Sequence, residues 1–278
     1  MACNADLLSV TEFASQPFVQ RALQSPHHPE SVLSFFYGVD CFTKNKENDD
    51  NGEEKNSLQE KRKDLIYGTC IKRMGPLWYN GGAEYDKLCQ PFAEAVRQAG
   101  KRTLPSPWND TVDGCIAQIV LCDQLARNIF RGTPEAFAYD DTSQSIARRL
   151  TDAVLREETE TKECEADSTL SGEFYPPYLS SMVLVFMHSE QRSDHELALQ
   201  LIERARRKFS SFADDETIQQ QLDKNWDDMR NFELQHKVVI DRFGRYPHRN
   251  KFKGRSNTPE EEAWLADRDN LPGWAKSH

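Results

Sequence analysis

Two stretches of this chain read as helices with almost no polar face. Val112, Cys115, Ile116, Ile119, Val120 and Leu121 make the first apolar nearly all round, and the run Met182 to Met187, opened by Pro176-Pro177, does the same for the second. A helix with no face to give to water must be enclosed by other elements. The rest of the chain therefore has to wrap both with amphipathic helices.

The text supplies them. Tyr85, Leu88, Phe92, Val96 and Ala99 form one stripe, with Pro91 expected to bend that helix or mark its start. Ile146, Leu150, Ala153 and Val154 continue at helical spacing after a cap-then-proline start at Thr133-Pro134. Ala198, Leu201, Ile202, Ala205 and Phe209 line another helix, before which Ser193 and Glu196 read as a capping box, leaving His195 on the surface. A long helix is expected from about Glu216 to Phe243, stopped by Gly244. Thr258-Pro259 then starts a last one with Glu261 closing a second capping box. Near the N-terminus, Thr11 to Leu23 reads as one short amphipathic helix, and Ser31 to Tyr37 as an aromatic helix end stopped by Gly38.

Three helix ends carry the chemistry. The first apolar helix closes on Asp123, Gln124, Arg127, Asn128 and then Arg131, with Asp123 and Arg127 spaced to pair along the helix. The second closes on His188, Ser189 and Glu190. The long helix carries His236 on its apolar stripe and runs into Asp241, Arg242, Arg245, His248, Arg249 and Asn250, followed by Lys251, Lys253 and Arg255. Ionisable groups beside a core are costly unless they pair or meet a ligand. If the three ends converge, Arg127, Asn128, Arg131, His188, Glu190, Arg242, Arg245, His248 and Arg249 build one pocket. Arginine forks suit carboxylate and phosphate. His188 or His248 would serve as general acid or base, tuned by Glu190 or Asp241. On this reading the partner is a small anionic molecule.

Two other readings stand beside it. An open basic groove would take an acidic peptide. Alternatively the motifs are internal ion-pair networks; with only Asp123, Glu190 and Asp241 counted as partners, the arginines outnumber the acids. No phosphate-binding loop, nucleophile elbow, dinucleotide glycine pattern or compact metal-ligand motif occurs, so neither reaction class nor cofactor is named and no metal is expected.

The run Arg242-Phe-Gly-Arg-Tyr-Pro-His-Arg-Asn250, with Gly254-Arg255 and Thr258-Pro-Glu-Glu, resembles the signature of a mainly bacterial family, domain of unknown function 924. Asp123 to Asp140 resembles its central motif and Phe186 to Glu190 its third, although Ala126 stands where the family has proline. The resemblance covers about residues 31–267. It implies an all-α fold, a single domain wound as a tetratricopeptide-like right-handed superhelix. It implies no reaction. Relative to the family, 44–63 is an insertion of Asn, Asp, Glu and Lys expected to be disordered. The expected organisation is an N-terminal extension over 1–30, a helical domain over 31–268 and a loose tail over 269–278.

A net charge of −10 argues against general nucleic-acid binding. Seven cysteines without regular spacing suggest reduced thiols, and Cys115 and Cys122 read as small core residues. No apolar run approaches the roughly 20 residues of a membrane span. The N-terminus lacks the basic start and apolar core of a signal peptide. A cytoplasmic location is expected, with oligomeric state open.

Overall fold

The computed structural model describes residues 8–42, 62–156 and 170–276. Most of the expected insertion at 44–63 and the acidic stretch 157–167 lie outside the described residues. The described chain is all helical, its one β contact being an isolated parallel bridge between Thr111 and Ser171.

The helices in order are α1 (Val10–Ser15), α2 (Pro17–Gln24), α3 (Pro29–Tyr37), α4 (Lys63–Ile66), α5 (Cys70–Asn80), α6 (Gly82–Cys89), α7 (Ala93–Gly100) and α8 (Val112–Ile119). Then come α9 (Ala126–Ile129), α10 (Asp140–Arg156), α11 (Pro176–Met187), α12 (Arg192–Lys208), α13 (Glu216–Phe243), α14 (Pro259–Ala266) and α15 (Gly273–Lys276). No helix of the described residues is long and apolar enough to cross a membrane.

The two apolar helices occupy the middle. Every residue of α8 but Asp113 is buried, and α11 is buried except at Leu184. They pack on each other, with α3 and α10 against α8 and α12 against α11. α12 in turn packs along α13. Thr111 caps α8 by accepting from the Gly114 amide at 2.9 Å. Cys115 and Cys122 are fully buried, as expected of small core residues.

Several boundaries differ from the sequence reading, each for a local reason. The expected helix over 11–23 is two, because Pro17 cannot continue α1 and forces Gln16 into extended geometry. Pro91 sits in a 3-10 turn, Gln90–Phe92, that separates α6 from α7. α12 starts at Arg192 with Gln191 as N-cap, two residues ahead of the expected capping box, so Ser193 lies inside the helix. His195, expected on the surface, is instead turned inward: it is fully buried, with Nδ1 2.7 Å from Glu233 Oε1 and Nε2 3.0 Å from the Ser189 carbonyl. At the C-terminus, Leu271 and Ala275 are buried and Trp274 stacks on His236 with ring centroids 4.1 Å apart, so 271–276 pack rather than hang loose. The second capping box, Thr258 with Glu261, forms as read.

Candidate functional site

Beyond Ile119 the helix widens into a π-helical segment, Val120–Leu125, before α9 resumes. Such a segment re-aims the side chains it carries and frequently accompanies functional sites. Here it carries Asp123, which is 1% exposed. At the end of α11, His188 presents Nδ1 to both Asp123 oxygens, at 2.9 and 3.0 Å. Arg127 lies 3.0 Å from Asp123 Oδ1 through Nη1 and donates to Asp140 Oδ1 through Nη2 at 3.0 Å. Arg249 donates from Nη1 to the His188 carbonyl at 2.8 Å and approaches Asp140 Oδ2 at 3.5 Å.

One residue or more from each of the three helix ends thus meets around Asp123 and Asp140. Tyr246 locks the third motif in place: its hydroxyl donates to the Met187 carbonyl and its ring lies under the Arg249 guanidinium, 4.6 Å from the centroid.

Two acids and two arginines balance, but unevenly. Burial would push the Asp123 carboxyl up, yet Arg127 and His188 outweigh it and hold it well below the usual carboxylate range. Burial would likewise push Arg127 down, and Asp123 with Asp140 outweigh it. Arg249 ends differently. Burial pushes it down, Asp140 offsets only part of this, and Arg127 adds repulsion.

Burial also lowers His188, and Arg127 and Arg249 add to that against the pull of Asp123. Asp123 is therefore satisfied as an anion by Arg127 while His188 stays neutral. With Nδ1 on a carboxylate, the proton sits on Nδ1 and Nε2 is left as the acceptor. The His188 side chain is 19% exposed, so this is a dyad with an edge toward solvent.

Tyr79 and Gln124 complete the surroundings. The Gln124 amide donates to Asp123. Tyr79 is 66% exposed, yet surrounding protein and the charge of Asp123 push its hydroxyl up to about 12.

The remaining expected residues go elsewhere. Asn128 and Arg131 both bond Asp86 on α6, at 2.8 Å and at 2.6 and 3.0 Å. Arg242 pairs with Glu260 on the surface, and Asp241 with Lys237 and Arg192. Arg245 makes a bidentate pair with Glu261, at 2.6 and 2.8 Å, and Asn250 leans on the same carboxylate at 3.3 Å. Glu190 accepts a fork from Arg255 at 2.7 and 2.8 Å and the Tyr246 amide at 2.9 Å, so Asp123, not Glu190 or Asp241, tunes His188. His236 bonds the Phe232 carbonyl at 2.7 Å, 6.4 Å from the His188 ring, and burial lowers it to about 3. His248 lies edge-on to Trp274 and beside Tyr246.

The expected arginine surplus is thereby corrected. Asp86, Asp140, Glu260 and Glu261 were missing from the count, and with them Arg127, Arg131, Arg242, Arg245, Arg249 and Arg255 each face a carboxylate. Asp140 closes the central motif and was within reach of a sequence argument. Gln124 already stands among the polar residues read at the first helix end. Among the described residues no group of three or more His, Cys, Asp or Glu is arranged to hold a metal ion.

A model of a family described as bacterial protein of unknown function (DUF924) matches residues 67–269. A solved protein of unknown function from Agrobacterium tumefaciens is 22% identical, over 76% of this chain and 98% of that one, with a TM-score of 0.46. No curated protein matches.

Proposed function

We propose, for a chain that belongs to the bacterial family of unknown function DUF924, that the convergent helix ends form an acid–base site for a small anionic molecule of carboxylate or phosphate type. His188 is the proton acceptor, through Nε2, and Asp123 holds its tautomer. Arg249 and Arg127 orient the guest's charge.

The observation that carries this reading is the state of Arg249. It is 4% exposed, its nearest carboxylate oxygen is at the limit of an ion pair at 3.5 Å, and its buried Nε has no acceptor among the described residues. A buried cation compensated so incompletely favours an anion nearby. The neutral imidazole beside it is the protonation state a general base needs.

The pairing of the other arginines favours a second reading, in which all three motifs only fix helix packing. Histidine side-chain NMR separates the two. With inorganic phosphate or small carboxylates at millimolar concentration, the acid–base reading expects the His188 titration midpoint to rise, and the rise to vanish in Arg249→Gln. A His188 signal indifferent to every anion would leave the packing reading standing.

A further inference from the structure

The 3-10 turn Pro247–Arg249 has two sides. Arg249 faces inward to the His188 carbonyl, whereas Pro247 and His248 line a separate cleft of about 200 Å³ between this turn, α14 and the C-terminal segment. Leu265 and Leu271 supply apolar wall, and the polar lining is Lys251, Asn257, Arg268 and His248. No carboxylate lines it. That is unusual in a chain of net charge −10, where acids exceed bases by 45 to 35.

The donors differ from the arginines of the inner cluster. Lys251 lies over the Phe252 ring at 4.4 Å, and neither it nor Arg268 forms an ion pair with a carboxylate among the described residues. The two acids flanking Arg268, Asp267 and Asp269, are not part of the lining, and Asp267 accepts from Asn270. Asn250 donates its amide nitrogen to Asn257 Oδ1 at 2.8 Å, so Asn257 keeps its own amide nitrogen as a free donor. The far field of an acidic protein repels anions, so an anion can be held only where donors cluster locally without acids.

We infer that this outer cleft is a second site, independent of the acid–base reading, which binds a small tetrahedral oxyanion or phosphoryl group through Lys251, Arg268 and Asn257. Its volume is below the range of drug-sized ligand pockets and suits an ion or a terminal group rather than a whole cofactor. Charge-assisted bonds from a lysine, an arginine and an oriented amide approach it from three chain segments, so removing any one should weaken the site without emptying it.

The test is titration of the full-length chain with inorganic phosphate, followed by calorimetry or phosphorus NMR at constant ionic strength, with chloride as control. Lys251→Gln and Arg268→Gln are expected to lower phosphate affinity by roughly threefold to tenfold each, the range for a partly exposed charge-assisted bond. In a His188→Gln background, saturable binding should persist while Lys251 and Arg268 are in place and be lost in the double variant. Circular dichroism confirms that each variant is folded; both charges are exposed and neither belongs to the core. Absence of saturable phosphate binding by the parent overturns the inference. So does a double variant that binds like the parent. Loss of binding in His188→Gln alone would move the anion to the inner dyad and overturn it equally.

Discussion

Replacing Asp123 by Asn changes almost no volume but removes the charge at the centre of the inner cluster. In the parent, Asp123 and Asp140 face Arg127 and Arg249. In the variant one carboxylate is left for two guanidinium groups, Arg249 buried and Arg127 mostly so. Breaking a buried ion pair from one side costs about 3–5 kcal/mol, because the orphaned charge stays buried. At about 2.1 cal/mol/K of unfolding entropy per residue, 278 residues lose roughly 1.7 °C of Tm per kcal/mol, so Asp123→Asn should melt roughly 5–9 °C lower at neutral pH.

The pH dependence gives an independent check. The folded Asp123 carboxyl is held below its ordinary value, so its contribution is complete above the unfolded value of about 3.9 and is lost as pH falls from there toward the depressed folded value. The variant has no such contribution to lose, so the gap between the two proteins should narrow in acid. The assay is equilibrium urea unfolding of both chains at graded pH. A gap under about 1 kcal/mol at neutral pH, the size of an exposed pair, would refute the buried-network reasoning. A gap that stays constant into acid would refute the assignment to ionised Asp123.

Other outcomes follow from single contacts. His236 is held neutral, its midpoint lowered to about 3 by burial, so it contributes stability above its unfolded value of about 6.5 and loses it as pH falls through the interval between the two; His236→Asn should flatten that part of a stability–pH curve. Trp274→Ala uncovers the same ring and should raise the His236 midpoint toward 6.5 in a histidine NMR titration, which an unchanged midpoint would disprove. A Cβ on Gly114 would stand 2.4 Å from the Pro107 carbonyl oxygen and 2.7 Å from Trp108 backbone, so Gly114→Ala should destabilise the chain by about 1–3 kcal/mol in urea unfolding. Arg242→Ala removes a pair whose partners are both at least half exposed, and its Tm should stay within about 2 °C of the parent.

Much of the helical content was readable because its signals are local. The long α13 runs from Glu216 to Phe243 as its apolar stripe suggested, with Gly244 in the left-handed conformation at φ 67°. The Asp123–Arg127 pair lies one helical turn apart and forms as its spacing implies. Where local reading erred, a competing local signal had been passed over, as at Pro17, or a nonlocal one had prevailed. His195 reads as surface in its own neighbourhood; the partner that draws it inside, Glu233, is 38 residues away on another helix. The π-helical segment that places Asp123 has no counterpart in the apolar pattern of α8 at all.

The amino-acid sequence by itself determined that the chain is helical, that two helices are enclosed, and that three of its polar helix ends carry ionisable groups. These follow from side-chain periodicity and from capping, both set by neighbours within a turn or so along the chain. Tertiary structure alone decided which charges meet. With 45 acids to choose from, no spacing rule assigns Asp140 to Arg249 across 109 residues or Asp86 to Arg131 across 45. Coulombic pairing depends on distance through the folded protein and on burial, and both exist only after the helices have packed. That packing pairs Glu261 fully with Arg245, leaves Arg249 only partly compensated, and keeps the His188 imidazole neutral.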